Sequence, residues 1–441
     1  MEMASTTYEE YVEELIEAGR LSAATVDELV RNVLRVKFHL GIMGGVPAPG
    51  DVTVDLEAHL EATRIAARES FVLLKNDGDI LPLDASAIRT LAVIGPLADA
   101  PYDQLGTWIF DGDRSLAATP LQALRDTLGD EVDIRYVRTL ATSRTRDQSN
   151  FDEALDAARA ADAVLLFLGE ESILSGEAHS RADIRLPGAQ EALVEAVAAI
   201  GKPTAAVILA GRPLALQDVV DDLPAILYAW HPGTMGGPAI VDVVFGAASP
   251  AGKLPVTFPR MSGQVPIYYN HKNTGKPATA DTFVPIDEIP PEAPQLSVGN
   301  TAHHLDAGYT PLFPFGHGLG YTAFEYTDLV VHTPRVPLDG VVEVEATLRN
   351  VGERAGLEVV QLYVRDLVGN VTRPVRELKG FQRVHLEPGE ARQVRFELPT
   401  AELAFYGRDM RSRIEAGEFH VWIGGSSATT LRAGFELVDE S

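Results

Sequence analysis

Cysteine is absent from all 441 residues. Disulfides, thiolate zinc sites, iron–sulfur clusters and cysteine nucleophiles are therefore excluded from this chain, and no redox signature points to a compartment. Lysine is scarce. Seven of the 37 basic residues are lysine and the rest arginine, a balance that a high-salt surface and a GC-rich genome explain equally well. Positive charge of either kind is outnumbered by 63 acidic residues, for a net charge of −26. Such a chain repels phosphate backbones and anionic membranes, which argues against nucleic acid as a partner. No run of 18 apolar residues occurs, so no membrane-spanning helix is expected. The opening MEMASTTYEEYVEELIEAGR is acidic and amphipathic, unlike a signal peptide. Neither a G-x-G-x-x-G fingerprint nor a Walker sequence is present, and no G-x-S-x-G elbow is found. His303, His304 and His317 show no ligand spacing with nearby carboxylates. No metal or cofactor is expected.

What is present is ordinary globular material, 46% apolar, enough for more than one core. At about 150 residues per domain the length suggests about three. Residues 6–43 read as two helices. Tyr8, Tyr11, Val12, Leu15 and Ile16 recur at helical spacing up to Gly19. Ser22 then caps a second helix bearing Val26, Leu29, Val30, Val33 and Leu34, which stops at Gly41. The following GGVPAPGDV reads as loop. Two short helices bury little core alone and must pack on something else.

From about 55 to 260 helix and strand patterns alternate. A helix is expected over Leu56 to Ser70, then strands FVLLK, LAVIG (91–95), AVLLFLG (163–169), TAAVILA (204–210) and AILYAW (225–230). Helices are expected over 119–128, 151–161 and 189–200. Fully apolar strands separated by helices predict an α/β sandwich around a mostly parallel sheet. Residues 261–320 are rich in Pro, Thr, Asn and Gly and read as loops. After Tyr321 short alternating strands predict a separate β-sandwich.

Ligands of open parallel sheets sit beyond the carboxyl ends of the strands. Four loops should open there: PLADAPYDQLGTW, GEESILSGEAHSRADIRLPG, GRPLAL and HPGTMGG. The second gathers Glu170, Glu171, Glu177, His179, Arg181 and Asp183. A carboxylate beside histidine and arginine can be tuned as an acid or base. The competing reading is a solvated acidic loop in an acidic protein. Trp108 and Trp230, just past strand ends, would either stack on a sugar or cap a core.

Taken together, these strings resemble the C-terminal part of glycoside hydrolase family 3, closest to its bacterial periplasmic β-glucosidase type. LVRNVLRVKFHLGI resembles the end of the family's TIM barrel, and RIAARESFVLLKNDGDILPL the entry to its α/β sandwich. SPAGKLPVTFPR, VPIYYNHKNTGKP and PLFPFGHGLGYTAFEY follow in the family's order, and RPVRELKGFQRVHLEPGE resembles its fibronectin type III-like domain. The resemblance implies a helical barrel remnant at 1–45. It implies an α/β sandwich at 46–320, with a loop-rich insertion at 269–320, and a fibronectin type III-like domain at 325–441. It further implies a retaining hydrolase of O-glycosyl compounds acting on a β-glycoside or oligosaccharide.

By the same resemblance, Glu177 in SGEAHSRAD is the catalytic acid/base. Glu170 and Glu171, nearer the strand end, suit a loop-anchoring role. Arg181 and Asp183 are expected to order the loop by mutual pairing, and with Trp108 and His231 to form the substrate-binding edge. The family's aspartate nucleophile lies in barrel sequence that would precede MEMASTTY, so the chain is expected to lack it. One alternative is that the chain is half of a split glycosidase, with a separate TIM-barrel chain as its partner. A non-catalytic carbohydrate-binding or interaction module is another, and an unrelated α/β enzyme using the acidic loop ranks below both. A periplasmic or extracellular location fits the full-length relative. Limited proteolysis should cut first within 1–50 and 270–310. Early cuts inside 160–230 would count against a parallel-sheet core.

Overall fold

The computed structural model describes residues 3–44, 54–295 and 300–439; most of the expected GGVPAPGDV loop lies outside them. The chain divides into two compact units, Met1–Leu56 and Glu57–Ser441.

In the first unit, α1 (Thr7–Glu17) and α2 (Ala23–His39) form a hairpin. Gly19 turns the chain at φ +67°, and the Ser22 hydroxyl accepts the Thr25 N–H at 3.1 Å as an N-cap. Tyr8, Tyr11, Leu15, Val26, Val30 and Val33 face one another across a groove of about 590 Å³. No residue of either helix is buried.

The second unit starts at Glu57, inside α3 (Leu56–Ser70), and continues with β1 (Val72–Asn76). There follow β2 (Thr90–Ile94), α4 (Pro101–Leu105), α5 (Pro120–Leu128), β3 (Asp133–Val137), α6 (Phe151–Ala160) and β4 (Ala163–Gly169). Then come α7 (Gln190–Ala198), β5 (Thr204–Leu209), β6 (Ala225–Tyr228) and α8 (Gly236–Val244). The six strands form one sheet in the order β1-β6-β5-β4-β2-β3. All pair parallel except β1, which runs antiparallel on β6.

Side chains alternate between the two faces of the sheet. Val164, Leu166 and Leu168 of β4 pack with Ala154, Ala158 and Leu193 of α6 and α7. Ala163, Leu165 and Phe167 pack in the core that holds Ala67, Leu124 and Ile240 of α3, α5 and α8. Burial on both faces is why β4, β5 and β6 read as unbroken apolar runs. The edge strand β3 was not expected. Its sequence DIRYV is exposed at alternate positions and lacks such a run.

Residues 261–320 contain no helix beyond short 3₁₀ turns and no strand beyond isolated bridges such as Pro277 with Ala302, among the described residues. They are held by Arg260, which donates to the Thr310 carbonyl (3.2 Å), and by Tyr269 stacked on Phe315 at 4.2 Å. The β-sandwich follows with β7 (Phe324–Val331), β8 (Arg335–Pro337), β9 (Val341–Asn350), β10 (Gly356–Asp366), β11 (Glu377–Leu386) and β12 (Ala391–Pro399). It ends with β13 (Phe405–Tyr406), β14 (Ser412–Arg413), β15 (Gly417–Gly424) and β16 (Arg432–Val438). Sheets β11-β10-β15-β16-β8 and β12-β9-β7 enclose Val342, Val344, Leu348, Leu362, Val421 and Phe435. Lys253 joins the two layers of the unit, donating to the Gly318 carbonyl (2.7 Å) and to Glu358 on β10 (3.0 Å). Tyr326 donates to the other Glu358 oxygen at 2.9 Å.

Gly169 ends β4 at φ +132°, and an added Cβ would overlap the Leu209 carbonyl of β5. Gly201 also has positive φ (+74°) but faces open space. Gly169→Ala is therefore expected to destabilise by more than about 2 kcal/mol, against about 1 kcal/mol for Gly201→Ala. Urea midpoints of the two variants measure this, and equal shifts would contradict the close strand approach.

Candidate active site

Because β2, β4, β5 and β6 run parallel, the loops leaving them share the carboxyl edge of the sheet. Gln104, fully buried after β2, ties two of these segments together. Its Nε2 donates to the Ala118 and Gly233 carbonyls at 3.0 Å each, and the Gly233 N–H returns a bond to the Gln104 carbonyl. Asp103 accepts the Ser172 N–H (3.0 Å) and hydroxyl (3.2 Å), joining the loop after β2 to that after β4.

Between these loops lies a crevice of about 400 Å³. One wall is Tyr102, Trp108 and Phe110; the other is Ile173, Gly176, Glu177 and His179. Trp108 is 60% exposed and Phe110 84%, their rings meeting edge to face at 5.7 Å. Trp108 takes φ +63°, an uncommon backbone for a bulky residue. Glu177 is exposed and makes no hydrogen bond or ion pair among the described residues. Gly176 (φ +111°) and Ala178 (φ +61°) flank it, both in left-handed backbone. Two such residues on either side of one position make a sharp turn with the glutamate at its tip.

Glu177 and Trp108 thus share one crevice, while His231 lies behind it. The His231 Nε2 sits 3.2 Å from the Ser175 hydroxyl, and Nδ1 is buried with no hydrogen-bond partner among the described residues. Gly106 packs against this ring, where an added Cβ would come within 2.8 Å of the His231 Cβ. Arg181 and Asp183 do not pair with each other as expected. Arg181 donates to buried Glu170 at 2.5 Å, because a carboxylate with none of its surface exposed must be compensated locally. Asp183 instead takes a forked contact from Arg185 (2.9 and 3.1 Å) and the Ser262 hydroxyl (3.2 Å). The Arg185 guanidinium holds its carboxyl down at about 2.

Glu171 accepts the Ser143 hydroxyl at 2.9 Å. Trp230 packs on Tyr228 (4.9 Å) and Phe258 (6.0 Å), so of its two readings the core cap holds. His317 is half-buried, its Nε2 donating to the Leu74 carbonyl at 2.9 Å. No cluster of metal-ligating side chains occurs among the described residues.

Sequence reasoning missed Gln190 and Arg212. Gln190, fully buried, accepts the Gly169 N–H and donates to the Gly169, Ser143 and Pro187 carbonyls at 2.8 to 3.0 Å. It closes the base of the loop bearing Glu177. In the sequence it was hidden as one polar residue at the start of an amphipathic helix. Arg212, in GRPLAL, donates its Nε to Glu170 at 3.0 Å. Its signal was an arginine two residues past the apolar run TAAVILA.

Comparison with known proteins gives a consistent picture. The Glycosyl hydrolase family 3 C-terminal domain matches residues 71–321, and a Fibronectin type III-like domain matches 358–427. The periplasmic beta-glucosidase of Salmonella typhimurium is 36% identical over 465 residues, covering 99% of this chain and 59% of the relative. A beta-xylosidase of Formosa agariphila is 35% identical, covering 91% and 54%. The crystal structure of a beta-glucosidase from Listeria innocua in complex with isofagomine superposes with a TM-score of 0.87 at 33% identity, covering 99% of this chain and 59% of that one. The chain therefore spans a little over half the length of these relatives.

The buried imidazole generates a pH prediction. Burial pushes the His231 pKa down to about 4, against an opposing attraction from Asp103. The unfolded chain, with an ordinary value near 6.5, binds more protons between about pH 4 and 6.5. His231 therefore contributes stability in full above about pH 6.5 and loses it as the pH falls toward 4, by at most about 3 kcal/mol. Denaturation at about pH 7 and about pH 4.5 should show a smaller acid loss in His231→Gln than in the wild type. Identical acid losses would mean that the ring protonates without penalty.

Proposed function

Because the chain belongs to glycoside hydrolase family 3, we propose that it supplies the acid/base half of a retaining β-glycosidase acting on β-glucosides or related β-glycosides. The observation that supports this is the placement of Glu177. It is an unpaired carboxyl at the tip of a sharp turn, in a crevice with two exposed aromatic rings at the carboxyl edge of the sheet. The Trp108 and Phe110 faces offer the apolar surface on which a sugar or aryl leaving group stacks.

In a retaining reaction two carboxyls stand about 5–5.5 Å apart across the glycosidic bond. Glu177 as the acid donates its proton to the leaving oxygen in the first displacement. As the resulting carboxylate it takes a proton from the water that cleaves the covalent intermediate. The aspartate nucleophile of this reading comes from the barrel that the resemblance implies. Asp183, locked by Arg185 and Ser262, is poorly placed to act as one.

Aryl β-glucoside turnover by the purified chain tests this reading. The 441-residue chain alone is expected to show trace rates at most, because acid assistance without a nucleophile splits no displacement into two. Joined to the barrel portion of a relative it should turn over, and Glu177→Gln should then lower kcat by about 10²–10⁴-fold. Robust turnover by the chain alone would overturn the division of labour and direct attention to Asp183. Full activity of the Glu177→Gln fusion would overturn the acid/base assignment.

A further inference from the structure

The Glu177 side chain has no partner among the described residues, yet the segment around it is clamped at both ends by one side chain. Arg212 leaves the end of β5 and reaches under the turn. Its Nη2 donates to the Leu174 carbonyl and to the His179 carbonyl at 2.9 Å. These two carbonyls bracket the turn that bears Glu177, so a single planar nitrogen closes it like the base of a hairpin. The Nε of the same guanidinium donates to Glu170 Oε2 at 3.0 Å, and Tyr228 donates its hydroxyl to the Arg212 carbonyl. The other Glu170 oxygen takes Arg181, whose Nη2 donates to the Arg185 carbonyl at 3.0 Å. One buried carboxylate thus orients two guanidiniums, which together hold three carbonyls of the 170–186 loop.

The geometry points to Arg212 as the positioning residue for the acid/base: oriented by Glu170, it fixes the turn that presents Glu177 to the glycosidic oxygen. This rests on the assignment of Glu177 as the acid/base. The requirement is specific for arginine. A lysine can neutralise Glu170 as a point charge, but it has no planar fork to pair the carboxylate and bracket two carbonyls at once. The need for a fixed turn follows from the chemistry. A general acid works only within hydrogen-bond reach of its target oxygen, and the carboxyl has no partner of its own to hold it there.

Two measurements test the proposal. The first is hydrogen exchange in the full chain, comparing wild type, Arg212→Lys and Glu170→Gln. Amides of 174–181 should exchange about 10- to 100-fold faster in both variants, the scale of losing one or two charge-assisted hydrogen bonds. Exchange in α6, α7 and the β-sandwich should not change. Unchanged exchange at 174–181 would overturn the clamp, and acceleration throughout the sheet would reduce it to general stability.

The second measurement is turnover by the barrel fusion on phenyl and 2,4-dinitrophenyl β-glucosides. The phenolate needs the proton and the dinitrophenolate hardly does, so Arg212→Lys should lose at least about ten-fold more kcat/KM on the phenyl substrate. Equal losses on both would indicate a smaller folded fraction and overturn the positioning role. Glu177→Gln in the same assay separates the two readings. If it shows no leaving-group preference, the acid assignment fails, and exchange alone still decides whether Arg212 holds the turn.

Discussion

The central sheet is buried on both faces, and that constraint directs everything polar to its ends. Strands β4, β5 and β6 have no exposed residue, so a charged group on them would face one of two apolar cores. Polar chemistry can begin only where the strands stop. It begins abruptly: Gly169 closes β4 under the Leu209 carbonyl, and the next residue is Glu170, a carboxylate with no exposed surface. Its position one residue beyond the apolar layer obliges the neighbouring loops to bring it cations and donors. Arg181 and Arg212 meet that demand and are fixed by it.

A buried ion network of this kind is a costly way to stabilise a fold, since desolvation offsets much of the Coulomb gain. Its consequence here is geometric. Glu170, Gln190, Asp103 and Gln104 between them hold the loops after β2, β4, β5 and β6 in register at one edge. The crevice is therefore walled by backbone held from beneath, while Glu177, Trp108 and Phe110 stay exposed on it. The polar joint of Lys253, Glu358 and Tyr326 applies the same rule where the β-sandwich meets the α/β layers. Burial raises both the Glu358 and Tyr326 pKa values, and Lys253 opposes this at Glu358.

Most of the fold was legible because the residues that build it are numerous and periodic. The α3 helix, the apolar strands β2, β4, β5 and β6, and the alternating strands β9 and β10 each repeat one signal several times. β3 was missed because an edge strand with one wet face has no apolar run. At the site, the richness of the 169–188 loop was visible as a density of charge. Its pairing was not: Arg181 sits two residues from Asp183 yet bonds Glu170, and Asp183 bonds Arg185.

Composition and pattern by themselves determined the doubly covered parallel sheet, the all-β tail, the absence of thiol chemistry and the loop where acid–base groups concentrate. These follow from local periodicity and from residue types present or missing. Only the tertiary structure decided that His231 lies behind the crevice, that Trp230 is core while Trp108 is exposed, and that Arg212 closes the Glu177 turn. Each of those depends on which strand ends lie side by side. Strand order β6-β5-β4-β2 brings residues 103, 170, 212 and 231 together, and no local stretch of sequence records that adjacency, because it arises from packing apolar strands whose order is set by the whole sheet.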